Sequence, residues 1–112
     1  MCLFCKIVNK EIPARILFED EDLVAFHDVN PVAPIHVLVI PKQHIVGIGQ
    51  AESEHATVIG KLIVAARRVA EMSGLENSGY RVVVNNGAHA GQSVFHLHVH
   101  VLGGRPLAWP PG

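Results

Sequence analysis

Residues 95–102 alternate imidazole and aliphatic side chains, and this pattern constrains the fold more than any other feature of the chain. Side chains of a β-strand point alternately to its two faces. His96, His98 and His100 are therefore predicted to share one face, with successive residues on that face about 6.8 Å apart. The intervening Leu97, Val99 and Val101 face a core. The final strand is predicted to span residues 96–102, with a row of imidazoles on one side.

The sequence by itself allows three interpretations of this row of histidines. In the first, the histidines are polar residues on the solvent face of a half-buried strand, where Thr, Lys or Glu is more usual. In the second, two of them share a zinc ion, although no Asp or Glu lies nearby in sequence to orient a catalytic metal shell. In the third, one imidazole is a nucleophile. With a usual pKa of about 6.5 it is mostly neutral at pH 7, and its free nitrogen can attack without a separate base.

Short apolar runs elsewhere in the chain predict four further strands. Each run is rich in β-branched or aromatic residues and is bounded by acidic, proline or glycine residues. The predicted strands are residues 16–18, 23–26, 36–40 and 80–84, of which the first two form a hairpin around the acidic stretch 19–22.

Apolar positions with a helical period predict one long helix over residues 53–72. Ser53 is the predicted N-cap, and Gly74 the left-handed residue that closes the helix. Its apolar face is wider than a small sheet can cover, which predicts a homodimer in which a second copy covers the remainder. A short helix is predicted before Pro13. These elements predict an α+β domain with a mostly antiparallel five-stranded sheet.

Composition limits the classes of partner and compartment. The 112 residues, 49% of them hydrophobic, predict a single domain over residues 1–112. A formal net charge of -1 offers no basic surface for a nucleic-acid partner. No apolar run approaches the roughly 20 residues that cross a bilayer, and the N-terminus does not resemble a signal peptide, so we expect a cytoplasmic protein without a membrane partner. Cys2 and Cys5 lie too close together to staple a distant loop, which leaves a metal half-site or plain thiols.

The segment 96–102 matches the signature of alternating His and hydrophobic residues that defines the histidine triad family, and the chain resembles the nucleoside phosphoramidase branch of that family over nearly its whole length. The resemblance implies a HIT-like fold, a homodimer, and hydrolysis of the P–N bond in AMP or GMP phosphoramidates without a required cofactor. The other matching segments are Glu11-Ile12-Pro13, Ala25-Phe26-His27-Asp28, Pro31, Ala33-Pro34, Val39-Ile40-Pro41-Lys42, Val84-Asn85, Gly91-Gln92-Ser93-Val94, Leu102-Gly103-Gly104-Arg105 and Trp109-Pro110-Pro111-Gly112.

The resemblance also implies roles for individual residues. His98 is the nucleophile that forms a nucleotidyl-histidine, and its other nitrogen needs a fixed acceptor such as a main-chain carbonyl. Asp28 accepts hydrogen bonds from the ribose hydroxyls, although an Asx turn is its structural alternative. The remaining catalytic residues are His100, His36, His96 and Ser93. The remaining substrate residues are Asn85 and Gln92 near the phosphate and the leaving group, Ile12, Phe26, Val29 and Leu38 around the base, and Gly91 and Trp109. Ile12, Phe26 and Leu38 could equally be core residues, and Ser93 and Gln92 could be polar residues of a loop.

Cys2 and Cys5 resemble the thiolate pair of family members that bind structural zinc. The resemblance implies that His44 and His96 complete a Cys2His2 set, which suits a closed tetrahedral zinc site. Three other functions remain open. One is hydrolysis of dinucleoside polyphosphates, although such relatives typically carry Gln where His100 stands. The second is a purine-nucleotide scaffold without catalysis, and the third is a metal-binding module.

Overall fold

A computed structural model describes residues 2–112 of the chain. Among these residues, no helix combines the length and apolarity needed to cross a bilayer. Short 3-10 turns at Ile48–Gln50, Ser53–His55 and Ala88–Ala90 lie in the connections. The helices are α1 (Leu3–Val8) and α2 (Ala56–Met72), and the strands are β1 (Ile16–Glu19), β2 (Leu23–His27), β3 (Ile35–Pro41), β4 (Tyr80–Val83) and β5 (Val99–Gly103).

The five strands form one antiparallel sheet in the order β1-β2-β3-β5-β4. This confirms the predicted mostly antiparallel five-stranded sheet with one long helix and a short N-terminal helix. The turn between β1 and β2 is closed by Asp20, whose Oδ1 accepts hydrogen bonds from the backbone N–H groups of Asp22 and Leu23. In the centre of the sheet, Leu38 of β3 lies opposite His100 of β5. This register brings the imidazoles of β5 beside the side chains of β3.

A separate hydrophobic cluster covers each face of the sheet. On one face, Leu62, Ala66 and Val69 of α2 pack against alternate valines of β3 and β5. On the other, Phe4 and Ile7 of α1 pack against Phe26, Leu38 and Ile40, together with Val24. Because α1 has only six residues, it leaves part of this second face open. The imidazoles lie on that side.

Two sequence-based boundaries are wrong. Ser53 is not the N-cap of α2, because residues 53–55 form a 3-10 turn capped by a reciprocal box between Glu52 and His55. The final strand begins at Val99 and not at His96. The backbone N–H of Leu97 donates to the carbonyl of Ile45, in the loop after β3, at 2.6 Å. The chain therefore joins the ladder with β3 only from Val99 onwards. Gly74 does adopt the predicted left-handed conformation, with φ of 72°.

Candidate active site and metal centre

His98 is held in one orientation by the backbone two residues before it. Its Nδ1 lies 2.7 Å from the carbonyl oxygen of His96, and the side chain is buried. A carbonyl only accepts, so Nδ1 carries the proton and donates it. In the neutral ring, Nε2 then keeps a free lone pair. This is the main-chain acceptor that the sequence interpretation required of a histidine nucleophile.

His100 and His36 form a second imidazole pair next to His98. The rings of His98 and His100 are 5.0 Å apart, and His36 Nε2 lies 2.9 Å from His100 Nδ1. The backbone N–H of Val32 donates to His36 Nδ1 at 3.1 Å, so the proton of neutral His36 sits on Nε2. His36 therefore donates to His100, and the proton of His100 is left on Nε2. The hydrogen bonds therefore run in one direction: Val32 donates to His36, and His36 donates to His100.

Burial keeps these rings uncharged. Burial, with the neighbouring His98 and His36 as smaller causes, lowers the pKa of His100 to about 4. Burial also lowers the pKa of His36, although the carboxylate of Asp28 opposes the shift. Both imidazoles are neutral at pH 7, which is the state that the donor order requires. They present hydrogen-bond donors and no net charge.

His98 and His100 line a cleft of about 330 Å³ on the α1 side of the sheet. Phe26 and Leu38 contribute apolar lining, and Ser93, His98 and His100 contribute polar lining. Val29, which is 89% exposed, stands at the mouth. Ile12 lines the same cleft, so the structure brings together all four residues predicted to surround the base. A larger groove of about 650 Å³ lies between the β1–β2 turn and α2, and its lining residues in the described chain include no histidine.

Asp28 has two roles in this cleft. Its Oδ1 accepts from the backbone N–H of Asn30 at 2.8 Å, which is the Asx turn that the sequence offered as the structural alternative. Its Oδ2 lies 3.3 Å from His36 Nε2. A carboxylate has about four acceptor positions, so the turn leaves capacity for a ligand. The two interpretations of Asp28 are therefore compatible.

Gln92, by contrast, lies outside the cleft, with its amide already paired. Its Oε1 accepts from the backbone N–H of Gly87 at 2.8 Å, and its Nε2 donates to the carbonyls of Val46 and Val94 at 2.9 and 3.2 Å. The side chain is buried. Gln92 thus joins three segments of loop, and the residue after it, Ser93, is the one that reaches the cleft.

Three other predicted substrate residues also lie outside the cleft. Asn85 is half-buried just beyond β4, and Gly91 closes the 3-10 turn with φ of 90°. Trp109 is 80% exposed, and the guanidinium of Arg81 lies 5.9 Å from its ring centre. Within residues 2–112, none of these three lines the cleft that His98 lines.

A separate cluster gathers Cys2, Cys5, His44 and His96, whose ligand atoms all lie within 4.8 Å of one another. His44 Nδ1 is 3.2 Å from His96 Nδ1 and 3.3 Å from Cys5 Sγ, and Cys2 Sγ is 3.4 Å from His96 Nδ1. Tetrahedral zinc with Zn–N of about 2.0–2.1 Å and Zn–S of about 2.3 Å places its ligand atoms about 3.3–3.8 Å apart. The donor set and its spacing therefore fit zinc.

A second group, Asp28, His36 and His100, is also close enough to hold a metal. It differs from the cysteine-histidine cluster in the hydrogen bond made by the histidine nitrogen that faces away from the metal position. A metal-bound histidine usually donates its other N–H to an acceptor. His96 does so, since its Nε2 lies 2.8 Å from the carbonyl of Pro41, which leaves Nδ1 unprotonated toward the thiols. His36 has a donor, the N–H of Val32, on that far side. The second group is therefore better suited to hydrogen bonding than to holding a metal.

Several contributors to the two sites carried no recognisable signal in the sequence. Phe4 contacts His98 edge to face, with ring centres 5.2 Å apart, and also lines the cleft. The spacing of the apolar residues around Phe4 predicted a helix but not this contact. The backbone groups of Val32 and Pro41 act through atoms that every residue type carries. Asn86, whose Oδ1 accepts from the backbone N–H of Gly49, is a further link between the loops.

Known proteins resemble this chain over nearly its whole length. The profile of the HIT domain family matches residues 9–107. The chain is 51% identical over 110 residues to a HIT-like protein of Synechococcus elongatus, covering 98% of this chain and 96% of that one. It is 50% identical over 112 residues to the 14 kDa zinc-binding protein of Zea mays, covering 98% and 87%.

Solved structures agree over the same extent. A HIT family hydrolase from Legionella pneumophila superposes with a TM-score of 0.98 at 45% identity, covering 100% of both chains. A HIT family hydrolase from Clostridium thermocellum gives a TM-score of 0.93 at 46% identity, covering 96% of this chain and 93% of that one.

Proposed function

This chain belongs to the histidine triad (HIT) family, and on that basis we propose that it hydrolyses the P–N bond of purine nucleoside 5′-phosphoramidates, such as AMP joined to lysine. The observation that carries the proposal is the hydrogen bond from His98 Nδ1 to the carbonyl of His96, inside a cleft large enough for a nucleotide. It presents an unprotonated Nε2 as the nucleophile.

The reaction proceeds in two displacements at phosphorus. In the first, His98 Nε2 bonds to phosphorus while the P–N bond to the amine breaks. The imidazole then carries a positive charge, which the carbonyl of His96 stabilises through Nδ1–H. The departing nitrogen takes up a proton from solvent, since an amide anion is too basic to leave and neutral His100 and Ser93 are too weakly acidic to give one up; the water that attacks in the second displacement returns that proton. In the second displacement, water attacks the nucleotidyl-histidine, releases the nucleoside monophosphate and restores His98.

The nucleotide is oriented by groups already in place. His100, with its proton on Nε2 and its Nδ1 bound to His36, is a neutral donor for the phosphate oxygens. Asp28 accepts from the ribose hydroxyls, and Phe26 and Leu38 hold the base against the sheet. Phosphoryl transfer depends mainly on positioning and charge stabilisation, so these donors are sufficient for the step that we propose.

The test is release of AMP from an AMP-lysine phosphoramidate, measured by chromatography under steady-state conditions. His98→Ala is expected to lower kcat on the order of 10³-fold or more, because it removes the nucleophile. His89→Ala is the matched control, since His89 is an exposed histidine outside the lining of the cleft. Hydrolysis by His98→Ala at the wild-type rate, or no hydrolysis by the wild type, would refute the proposal.

Zinc at Cys2, Cys5, His44 and His96 is part of the proposal. Bound there, it would supply a structural crosslink between α1 and the sheet, leaving His98 free for attack. Both cysteines are free thiols, which is the form that binds metal and the form that a reducing cytoplasm maintains. We also propose a cytoplasmic location, since a reducing compartment keeps thiols available for metal. Metal analysis of purified protein should give one zinc per chain, and Cys5→Ser should abolish it.

The partner that we propose is a second copy of the chain. β4 is an edge strand, and Tyr80 and Val82 on it are exposed, as are Ile63 and Met72 of α2. An exposed apolar edge strand readily pairs with another chain. Light scattering is expected to give the mass of a dimer, and Val82→Glu, which places a charge on that edge, the mass of a monomer. A wild-type monomer would contradict this assignment.

A further inference from the structure

His96 belongs to both sites at once. Its ring lies in the cysteine-histidine cluster, and its backbone carbonyl accepts the proton of His98 Nδ1 at 2.7 Å. We propose that metal loading of the cluster sets the orientation of the nucleophile, with His96 as the positioning residue that connects the two sites. The inference builds on the role proposed for His98 and extends it to residues that touch no substrate.

The first connection runs through the ring and the backbone of His96. The ring is fully buried and is held at both nitrogens, by the carbonyl of Pro41 at Nε2 and by the cluster at Nδ1. A ring fixed at two points leaves its residue little freedom to rotate. The backbone carbonyl of His96, whose carbon is two bonds from Cβ, is thereby fixed as well. This carbonyl is the acceptor that selects the tautomer of His98.

The second connection runs through α1. Cys2 caps this helix and Cys5 lies within it, so two of the four cluster ligands belong to the segment that carries Phe4. The ring of Phe4 stands at 89° to that of His98, with centres 5.2 Å apart. A helix of six residues is not stable by itself in water. Its place against the sheet depends on its apolar contacts and on the two thiols.

Without the metal, the four groups are held only by weaker contacts. His96 Nδ1 carries no proton, so it keeps a partner only while His44 Nδ1 or a thiol has a proton to donate, and the 3.2 Å contact with His44 becomes repulsive when neither nitrogen is protonated. His44 is exposed and can turn away into solvent. His96 then loses the contact at Nδ1, and Phe4 loses the anchors on both sides of it. His98 is expected to sample orientations in which Nε2 is not directed at phosphorus.

The loss should fall on the chemical step more than on binding. Asp28 and Leu38, which we propose hold the ribose and the base, lie on the loop before β3 and on β3, whereas α1 contributes only apolar lining to the cleft, through Leu3, Phe4 and Ile7. A misplacement of about 1 Å at a reacting group can cost about 100-fold in rate, and loss of an outer positioning contact about 10- to 100-fold. We therefore expect kcat to fall by about tenfold or more, with KM changed by less than about threefold.

The experiment compares the zinc-loaded protein, the chelated protein, and chelated protein reloaded with Zn²⁺. The readouts are kcat and KM, the affinity for AMP by calorimetry, and the ¹⁵N shifts of the His98 ring, which report its tautomer. We expect zinc to give a single Nδ1–H tautomer, chelation to give a mixture with reduced kcat, and reloading to restore both. Circular dichroism identifies conditions in which the chelated protein stays folded.

A variant keeps the inference testable if the chelated protein unfolds. His44→Asn removes the exposed ligand and leaves both cysteines and His96 in place; His89→Asn is the matched control at an exposed histidine outside both sites. His44→Asn is expected to lower kcat and mix the His98 tautomers, and His89→Asn to change neither. An unchanged kcat and tautomer in folded, metal-free protein or in His44→Asn would overturn the inference, as would a change confined to KM. Absence of hydrolysis by zinc-loaded wild type would instead count against the proposed function, and the tautomer readout would still decide the inference.

Discussion

Gln92→Ala tests whether this glutamine organises the loops or binds substrate. The wild-type amide makes three hydrogen bonds to backbone groups, at 2.8, 2.9 and 3.2 Å, from a side chain that is 6% exposed. A hydrogen bond contributes about 1 kcal/mol net, and an orphaned buried partner costs about 1–3 kcal/mol. Water entering beside the shortened side chain would recover part of that loss. The expected destabilisation is about 2–3 kcal/mol.

Thermal unfolding by circular dichroism measures this loss directly. In a domain of this size, about 2–3 kcal/mol corresponds to a fall in Tm of roughly 10 °C. Gln43→Ala is the control, because Gln43 is exposed and its replacement should change stability by less than about 0.5 kcal/mol. We expect Gln92→Ala to lower kcat as Ser93 becomes mobile. A variant with unchanged Tm and a raised KM would refute the reasoning and make Gln92 a substrate ligand.

Two further predictions concern the charges around the cleft. The pKa of His100 is lowered to about 4 in the folded protein, against about 6.5 when unfolded, so its contribution to stability is present above about pH 6.5 and is lost as the pH falls toward 4. The free energy of unfolding, measured with urea, should therefore fall less between pH 7 and pH 5 for His100→Asn than for the wild type. Equal falls would contradict the lowered pKa of His100. Asp28→Asn keeps an acceptor for Asn30 but removes the charge, so Tm should change little while the Kd for AMP rises by about tenfold, measured by calorimetry. An unchanged Kd would remove Asp28 from the binding site.

The alternation in the last strand was sufficient to predict which way the key side chains point. Leu97, Val99 and Val101 lie in the cluster under α2, and His98 and His100 line the cleft on the other face. Alternation depends only on the local backbone, which is why the pattern could be read without the rest of the fold. The start of the strand could not, because it depends on the pairing of Leu97 with Ile45, about fifty residues earlier in the chain.

Contacts between distant segments account for most of what the sequence could not predict. The tautomers of His36 and His96 are set by the backbone of Val32 and Pro41, whose N–H and carbonyl are common to almost every residue. For Gln92, residue type suggested a polar contact, but its loop partners depend on the position of Gly87 relative to Val46. Backbone partners of this kind leave no pattern in a single sequence.

The role of His98 is tested most directly by stopping the reaction during turnover and analysing the protein by mass spectrometry. The wild type, mixed with an AMP-lysine phosphoramidate and quenched, is expected to carry one AMP on the peptide that contains His98, attached through the ring. His98→Ala should carry none. Substrate consumed at full rate with no adduct at any quench time, or an adduct on a different side chain, would contradict an attack by the His98 imidazole.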